Sequence, residues 1–123
     1  MFRITFTSLI VVAALALAGV NMVRAEVTQA DIDAYNAAVD AYNARVIRYE
    51  SAAADFNNET ASYHHAVDYY NSKPEEQRTQ FEHDRLERWY NTLQSRLNSL
   101  NAEWDYLQRR LAEINAWSVR LDG

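Results

Sequence analysis

The chain has 123 residues, a formal net charge of −5, two glycines, one proline and no cysteine. These counts allow one domain and exclude a disulfide framework, a thiolate zinc site, a Gly-rich phosphate loop and a turn-rich sandwich or barrel. Binding to nucleic acid is not expected, because it needs a clustered basic surface. The composition therefore predicts an all-α protein.

Residues 1–25 have the layout of a secretory signal peptide. Arg3 gives a positive start, residues 9–20 are uncharged and apolar, and Val23 and Ala25 stand at the −3 and −1 positions of a cleavage site. We expect an exported protein, periplasmic or secreted, with no membrane span after cleavage. The alternative is a membrane tether, because residues 4–23 are uncharged and about 20 residues suffice to cross a bilayer. A secreted chain without cysteine fits bacterial export.

A heptad pattern then runs from Ile32 to Tyr70 without a slip. Every seventh residue from Tyr35 onward is aromatic, and the alternate positions from Ile32 onward are Ile, Val, Val, Ala, Thr and Val. This spacing predicts a helix with one apolar seam rather than a strand. Helix one is expected at about 28–71.

A second heptad series, rich in leucine, extends from His83 to Leu121. Between the two series, Pro74 cannot lie inside a helix but suits a first turn, with Ser72 or Lys73 as the cap. We therefore expect a turn at about 72–74 and helix two at about 74–121.

A break this short favours antiparallel helices, so residues 26–123 are predicted to form a long helical hairpin of the coiled-coil type. The alternative is one long kinked helix that pairs only between chains. A turn near residue 73 favours a register that sets Tyr42 beside Trp104 and Ile32 beside Ile114.

A second register, shifted by one heptad, sets Tyr49 beside Trp104 and Ile32 beside Leu121. It packs Ala38 and Ala66 against Trp117 and Trp89, and it pairs Glu59 with Arg96. It needs a longer loop and brings Arg45 near Arg110, so the first register is the prediction.

The apolar faces are wider than a two-stranded seam requires, which predicts a homo-oligomer, most simply a two-fold dimer forming a four-helix bundle. The tyrosine row has two interpretations: core residues, which heptad spacing favours, or an exposed strip that grips a client. The expected self-association seam consists of Tyr35, Tyr42, Tyr49, Phe56, Tyr63, Trp89, Leu97, Trp104, Leu111 and Trp117.

No catalytic residue, cofactor or metal is expected. No serine or cysteine occurs in a nucleophile motif, and a hairpin offers no deep pocket to perturb a carboxyl pKa. The weak metal candidates are His64, His83 and Asp68, because the first register lets His64 and His83 approach each other.

Charge is uneven along the chain: residues 26–70 carry eight acidic residues and only two basic ones, a net charge of −6. The function predicted is that of an exported, non-enzymatic interaction or structural protein of the bacterial envelope, with another envelope or secreted protein as a further partner. Two alternatives are a periplasmic holdase-type chaperone and a secreted effector or inhibitor that presents a helix to a target protein.

Overall fold

The structure, a computed structural model, describes residues 27–122. The predicted signal peptide lies outside the described residues. The described chain is all-helical and forms a helical hairpin from two long helices, α1 (Gln29–Ser72) and α2 (Gln80–Asp122). The helical class and the hairpin are therefore confirmed. None of the helices described is long and apolar enough to cross a membrane.

Both helices begin at a threonine whose hydroxyl accepts a hydrogen bond from the amide three residues later. The Thr28 hydroxyl accepts a bond from the amide of Asp31 at 3.1 Å, and the amide of Thr28 donates to the Asp31 carboxylate at 3.2 Å. The Thr79 hydroxyl accepts from the amide of Glu82 at 3.1 Å and donates to its carboxylate at 3.0 Å. A threonine followed three residues later by an acid satisfies the free amides of a first turn.

The predicted start of helix two at Pro74 is wrong. Pro74 is extended, with φ −54° and ψ 145°, and it precedes a short 3-10 helix at Glu75–Gln77. The helix starts instead at Gln80, where Thr79 supplies the cap. The cap of α2 is therefore Thr79 and not Ser72 or Lys73. The connection between the helices is longer than the predicted turn.

Arg78 binds the connection to the end of α1. Its guanidinium donates to the carbonyl of Lys73 at 3.0 Å and to that of Asn71 at 2.9 Å, which satisfies carbonyls at the end of the helix. Lys73 donates in turn to the carboxylate of Glu82 at 2.5 Å, across the connection. The last turn of one helix is thus tied to the first turn of the other.

The described residues form two compact units, which we describe separately. The turn unit is Ala52–Asn101, and the terminal unit comprises residues 27–51 and 102–122. Within the turn unit, the Tyr63 ring lies 6.0 Å from Tyr90, and the Tyr70 ring lies 6.2 Å from His83. The two helices therefore run antiparallel in this unit.

The terminal unit has its own antiparallel contacts. The ring of Tyr49 lies 5.9 Å from that of Trp104, and the ring of Tyr35 lies 5.6 Å from that of Trp117. These are contacts of the second register, so the favoured first register is wrong. The longer connection supplies the loop that the second register requires.

Heptad positions form the core on both helices. The row of α1 that begins at Tyr35 is buried at every seventh residue as far as Tyr70, and the row of α2 that begins at Leu86 is buried as far as Ile114. In α1 the alternate row is buried from Val39 to Val67. The interpretation of the tyrosine row as core is therefore confirmed, because an exposed strip would leave these rings in solvent.

Replacing the cap of α2 tests its start. We expect Thr79→Ala to lower the free energy of unfolding by about 1 kcal/mol, because the amide of Glu82 loses its acceptor. Thr92→Ala is the control, since the Thr92 hydroxyl only returns to the carbonyl of Arg88 within the same helix. Urea unfolding followed by circular dichroism measures both variants. Equal losses in the two would contradict the cap.

Candidate functional surfaces

The predicted seam residues divide between the helices by burial. Those on α1 are buried, whereas those on α2 are half-buried. The apolar surface left on the predicted seam therefore belongs to α2. The half-buried members are Trp89, Leu97, Trp104, Leu111 and Trp117.

Each tryptophan of α2 shields a tyrosine of α1. In the turn unit, Trp89 meets the ring of Tyr63 edge-on at 5.4 Å, and its indole nitrogen donates to the Glu59 carboxylate at 3.2 Å. In the terminal unit, the Trp117 ring meets Tyr35 edge-on. Such aromatic pairs contribute about 0.5–1.5 kcal/mol beyond the area they bury. The tryptophans thus serve the hairpin core and also keep part of their surface in solvent.

Several tyrosine hydroxyls lie in dry surroundings. Burial, with a smaller effect of Tyr90, raises the pKa of Tyr63 to about 12. Among the described residues, the hydroxyl of Tyr35 finds no hydrogen-bond partner and is buried, which costs free energy compared with a phenylalanine there. At Tyr35, therefore, the ring and not the hydroxyl stabilises the core.

A groove in the terminal unit gathers arginine side chains. Its cavity volume is about 210 Å³. The Arg45 guanidinium lies 3.8 Å above the ring of Tyr106 and donates two hydrogen bonds to Glu103, at 2.5 and 2.9 Å. This two-pronged geometry matches the fork of a guanidinium to the two oxygens of a carboxylate. The residues that line the groove are Ala38, Ala41, Tyr42, Arg45, Arg48, Tyr106 and Arg110.

Charges around this groove perturb the Glu103 carboxyl. The hydrogen bonds from Arg45 hold its pKa below the usual range, and the charges of Arg45 and Arg48 lower it further. Burial acts in the opposite direction, with a smaller effect. Glu103 is therefore ionised at neutral pH and offsets part of the positive charge there.

The predicted approach of His64 to His83 is wrong, because it depended on the first register. The structure places the His83 ring beside that of Tyr70. The Nδ1 atom of His83 lies 3.6 Å from an Asp84 oxygen and 3.8 Å from a Glu87 oxygen, beyond hydrogen-bond distance.

Asp84 and Glu87 do offer ligand atoms near His83, all within 4.8 Å of one another. All three residues belong to one helix, and within residues 27–122 neither His64 nor Asp68 joins such a group with them. This is the ordinary pattern of a histidine on an acidic helix face, and it does not favour a metal.

No family model, curated protein or solved structure matches this chain. The site must therefore be judged from its own residues. Sequence reasoning missed the arginine groove, although it noted that the second register brings Arg45 near Arg110. The available signal was the pair Arg45 and Arg48, which are the two basic residues of residues 26–70.

Acid titration tests the charge balance of the groove. Because Arg45 lowers the folded-state pKa of Glu103, the stabilisation is present at neutral pH and is lost as pH falls through that lowered value. We expect Glu103→Gln to lower the free energy of unfolding at pH 7 by less than about 1 kcal/mol. The difference from the unmodified chain shrinks as the pH falls through the lowered pKa of Glu103.

Glu113→Gln is the matched control for this measurement. Glu113 accepts from Arg110 one turn earlier in the same helix, and its side chain is 63% exposed. We expect it to change stability less than Glu103→Gln at pH 7. Thermal unfolding across the acid pH range measures both variants. A pH-independent effect of Glu103→Gln on stability would contradict the proposed ion pair with Arg45.

Proposed function

We propose that this protein is an exported, non-enzymatic helical interaction protein of the bacterial envelope. It acts through coiled-coil self-association and through binding to a further envelope or secreted protein. The observation that carries the proposal is the half-buried apolar row on α2 that includes Leu97, Trp104 and Leu111. Large apolar side chains at heptad core positions are normally covered, so their exposed surface marks an association face.

The contrast between the two core rows of α2 supports this proposal. The row from Leu86 to Ile114 is at most 9% exposed, whereas the alternate row stays half-buried. Leu97, Trp104 and Leu111 are as apolar as the residues of the buried row, so their partial exposure comes from their position around the helix. A second copy of the hairpin, related by a two-fold axis, is the simplest cover for such a row and completes a four-helix bundle.

Export is proposed from residues 1–25 alone. Their positive start, apolar run and small residues before position 26 are typical of a cleaved secretory signal. The absence of cysteine suits a bacterial envelope, since small eukaryotic secreted domains depend on disulfides.

A non-enzymatic role is proposed from the chemistry of the described surfaces. The side chains gathered in the groove of the terminal unit are arginines, which stay protonated and do not exchange protons at neutral pH. They recognise anions and do not act as general bases. Burial of the tyrosine row also weakens the chaperone alternative, which needs those rings exposed to a client.

Sedimentation of the chain, purified from cells that export it, tests self-association. We expect a dimer at high-micromolar concentration. Leu97→Glu should shift the population to monomer, because a carboxylate on the half-buried row would be desolvated in the interface. Ser95→Glu is the control, since it adds the same charge at an exposed position of α2 and should leave the dimer intact.

Circular dichroism of Leu97→Glu establishes that the hairpin remains helical. A chain that sediments only as a monomer at high-micromolar concentration contradicts the proposal whatever the variants do. Pull-down from culture fluid of a co-cultured host, with no partner in the envelope, favours the effector alternative instead.

A further inference from the structure

The acidic segment of residues 26–70 has two basic residues, and both lie at the same groove. Residues 26–70 have Arg45 and Arg48 as their basic side chains, and both line the groove of the terminal unit. Arg110 of α2 lines the same groove. Three arginines thus line one groove of a protein whose net charge is negative, and positive charges gathered on one surface favour a bound anion.

Carboxylates of the chain neutralise two of the three arginines. Arg45 is held by Glu103 through two hydrogen bonds, and Arg110 donates to Glu113 at 2.9 Å. Arg48 is exposed, and none of the residues in the described range forms an ion pair with it. Among the described residues, Arg48 is therefore the arginine of the groove that is exposed and has no carboxylate at ion-pair distance, although its charge acts on Glu103.

The walls of the groove favour an approaching side chain over bulk water. The small side chains of Ala38 and Ala41 leave space on the α1 side of the groove, and the rings of Tyr42 and Tyr106 form apolar walls. A volume of about 210 Å³ accommodates a side chain the size of glutamate. The Arg45 guanidinium, stacked on Tyr106, is held in one orientation, so little side-chain entropy is lost when a ligand binds beside it.

We propose that this groove binds a carboxylate side chain of an acidic peptide segment in a partner protein, with Arg48 as the principal donor and Arg110 beside it. This assignment rests on the partner binding proposed above and gives the partner its chemistry. The groove already binds one carboxylate in the expected manner, since Glu103 sits on the fork of Arg45. A carboxylate of the partner bound to Arg48 then places a second acidic group beside a second arginine of the groove.

Fluorescence anisotropy tests the groove with a labelled peptide of alternating glutamate and serine. The protein is the chain as purified from producing cells, at about 0.15 M salt, where screening limits repulsion by the net negative charge. We expect binding that is lost when glutamine replaces every glutamate of the peptide. Arg48→Gln should weaken binding roughly tenfold, because one charged hydrogen-bond donor is removed.

Arg88→Gln is the matched control, because Arg88 is exposed on α2 in the turn unit and loses the same charge. It should leave peptide affinity within roughly twofold. Equal weakening by the two variants, or no binding of the acidic peptide, would overturn the groove as a carboxylate site. Inorganic phosphate that displaces the peptide at equal concentration would overturn the choice of carboxylate.

Sedimentation of Arg48→Gln separates this inference from the proposed self-association. We expect the variant to dimerise as the unmodified chain does, because Arg48 lies outside the half-buried row of α2. Loss of the dimer in Arg48→Gln would show that a second copy occupies the groove, which overturns the inference. A chain that binds the peptide but never dimerises contradicts the proposed self-association alone.

Discussion

Charge pairs along one flank of the hairpin determine which heptad of α1 faces which heptad of α2. In the turn unit, Glu59 accepts a hydrogen bond from Arg96, and Lys73 pairs with Glu82. The tyrosine and leucine positions repeat every seven residues, so their spacing alone also allows a pairing that is shifted by one heptad. The flanking charged residues differ from one heptad to the next, so a shift by one heptad separates both ion pairs.

Each of these pairs is weak alone, since an exposed ion pair contributes about 0–1 kcal/mol. Their effect is on specificity: the shifted register separates Glu59 from Arg96 and also loses the ring contacts of Trp89 with Tyr63 and of Trp117 with Tyr35. The Arg78 contacts to the end of α1 act in the same direction. They hold the connection at the length that the observed register needs.

The heptads were sufficient to predict both helices and the buried tyrosine row, because apolar spacing over six repeats leaves little choice of period or face. They were not sufficient for the connection. Pro74 suggested a helix start, yet the Thr79–Glu82 cap supplies a stronger one, and its Thr-x-x-Glu spacing is visible in the sequence. The register followed from that misplaced start.

The surfaces were harder to predict than the core. Heptad spacing assigns both rows of α2 to the seam and does not distinguish the buried row of Leu93 from the half-buried row of Leu97. The closeness of Arg45 and Arg110 counted against the observed register as a repulsion. Sequence spacing did not reveal that Glu103 accepts from Arg45 and offsets that repulsion, because the pairing depends on side-chain orientation across the helices.

Disulfide trapping tests the register most directly, and the chain has no cysteine of its own to interfere. In the observed register Thr60 lies opposite Leu93. In the register shifted by one heptad, Thr60 would lie opposite Leu86. We expect rapid oxidation of the pair Thr60→Cys and Leu93→Cys to a cross-link within one chain, and little cross-linking of the pair Thr60→Cys and Leu86→Cys. Faster cross-linking of the second pair would contradict the observed register.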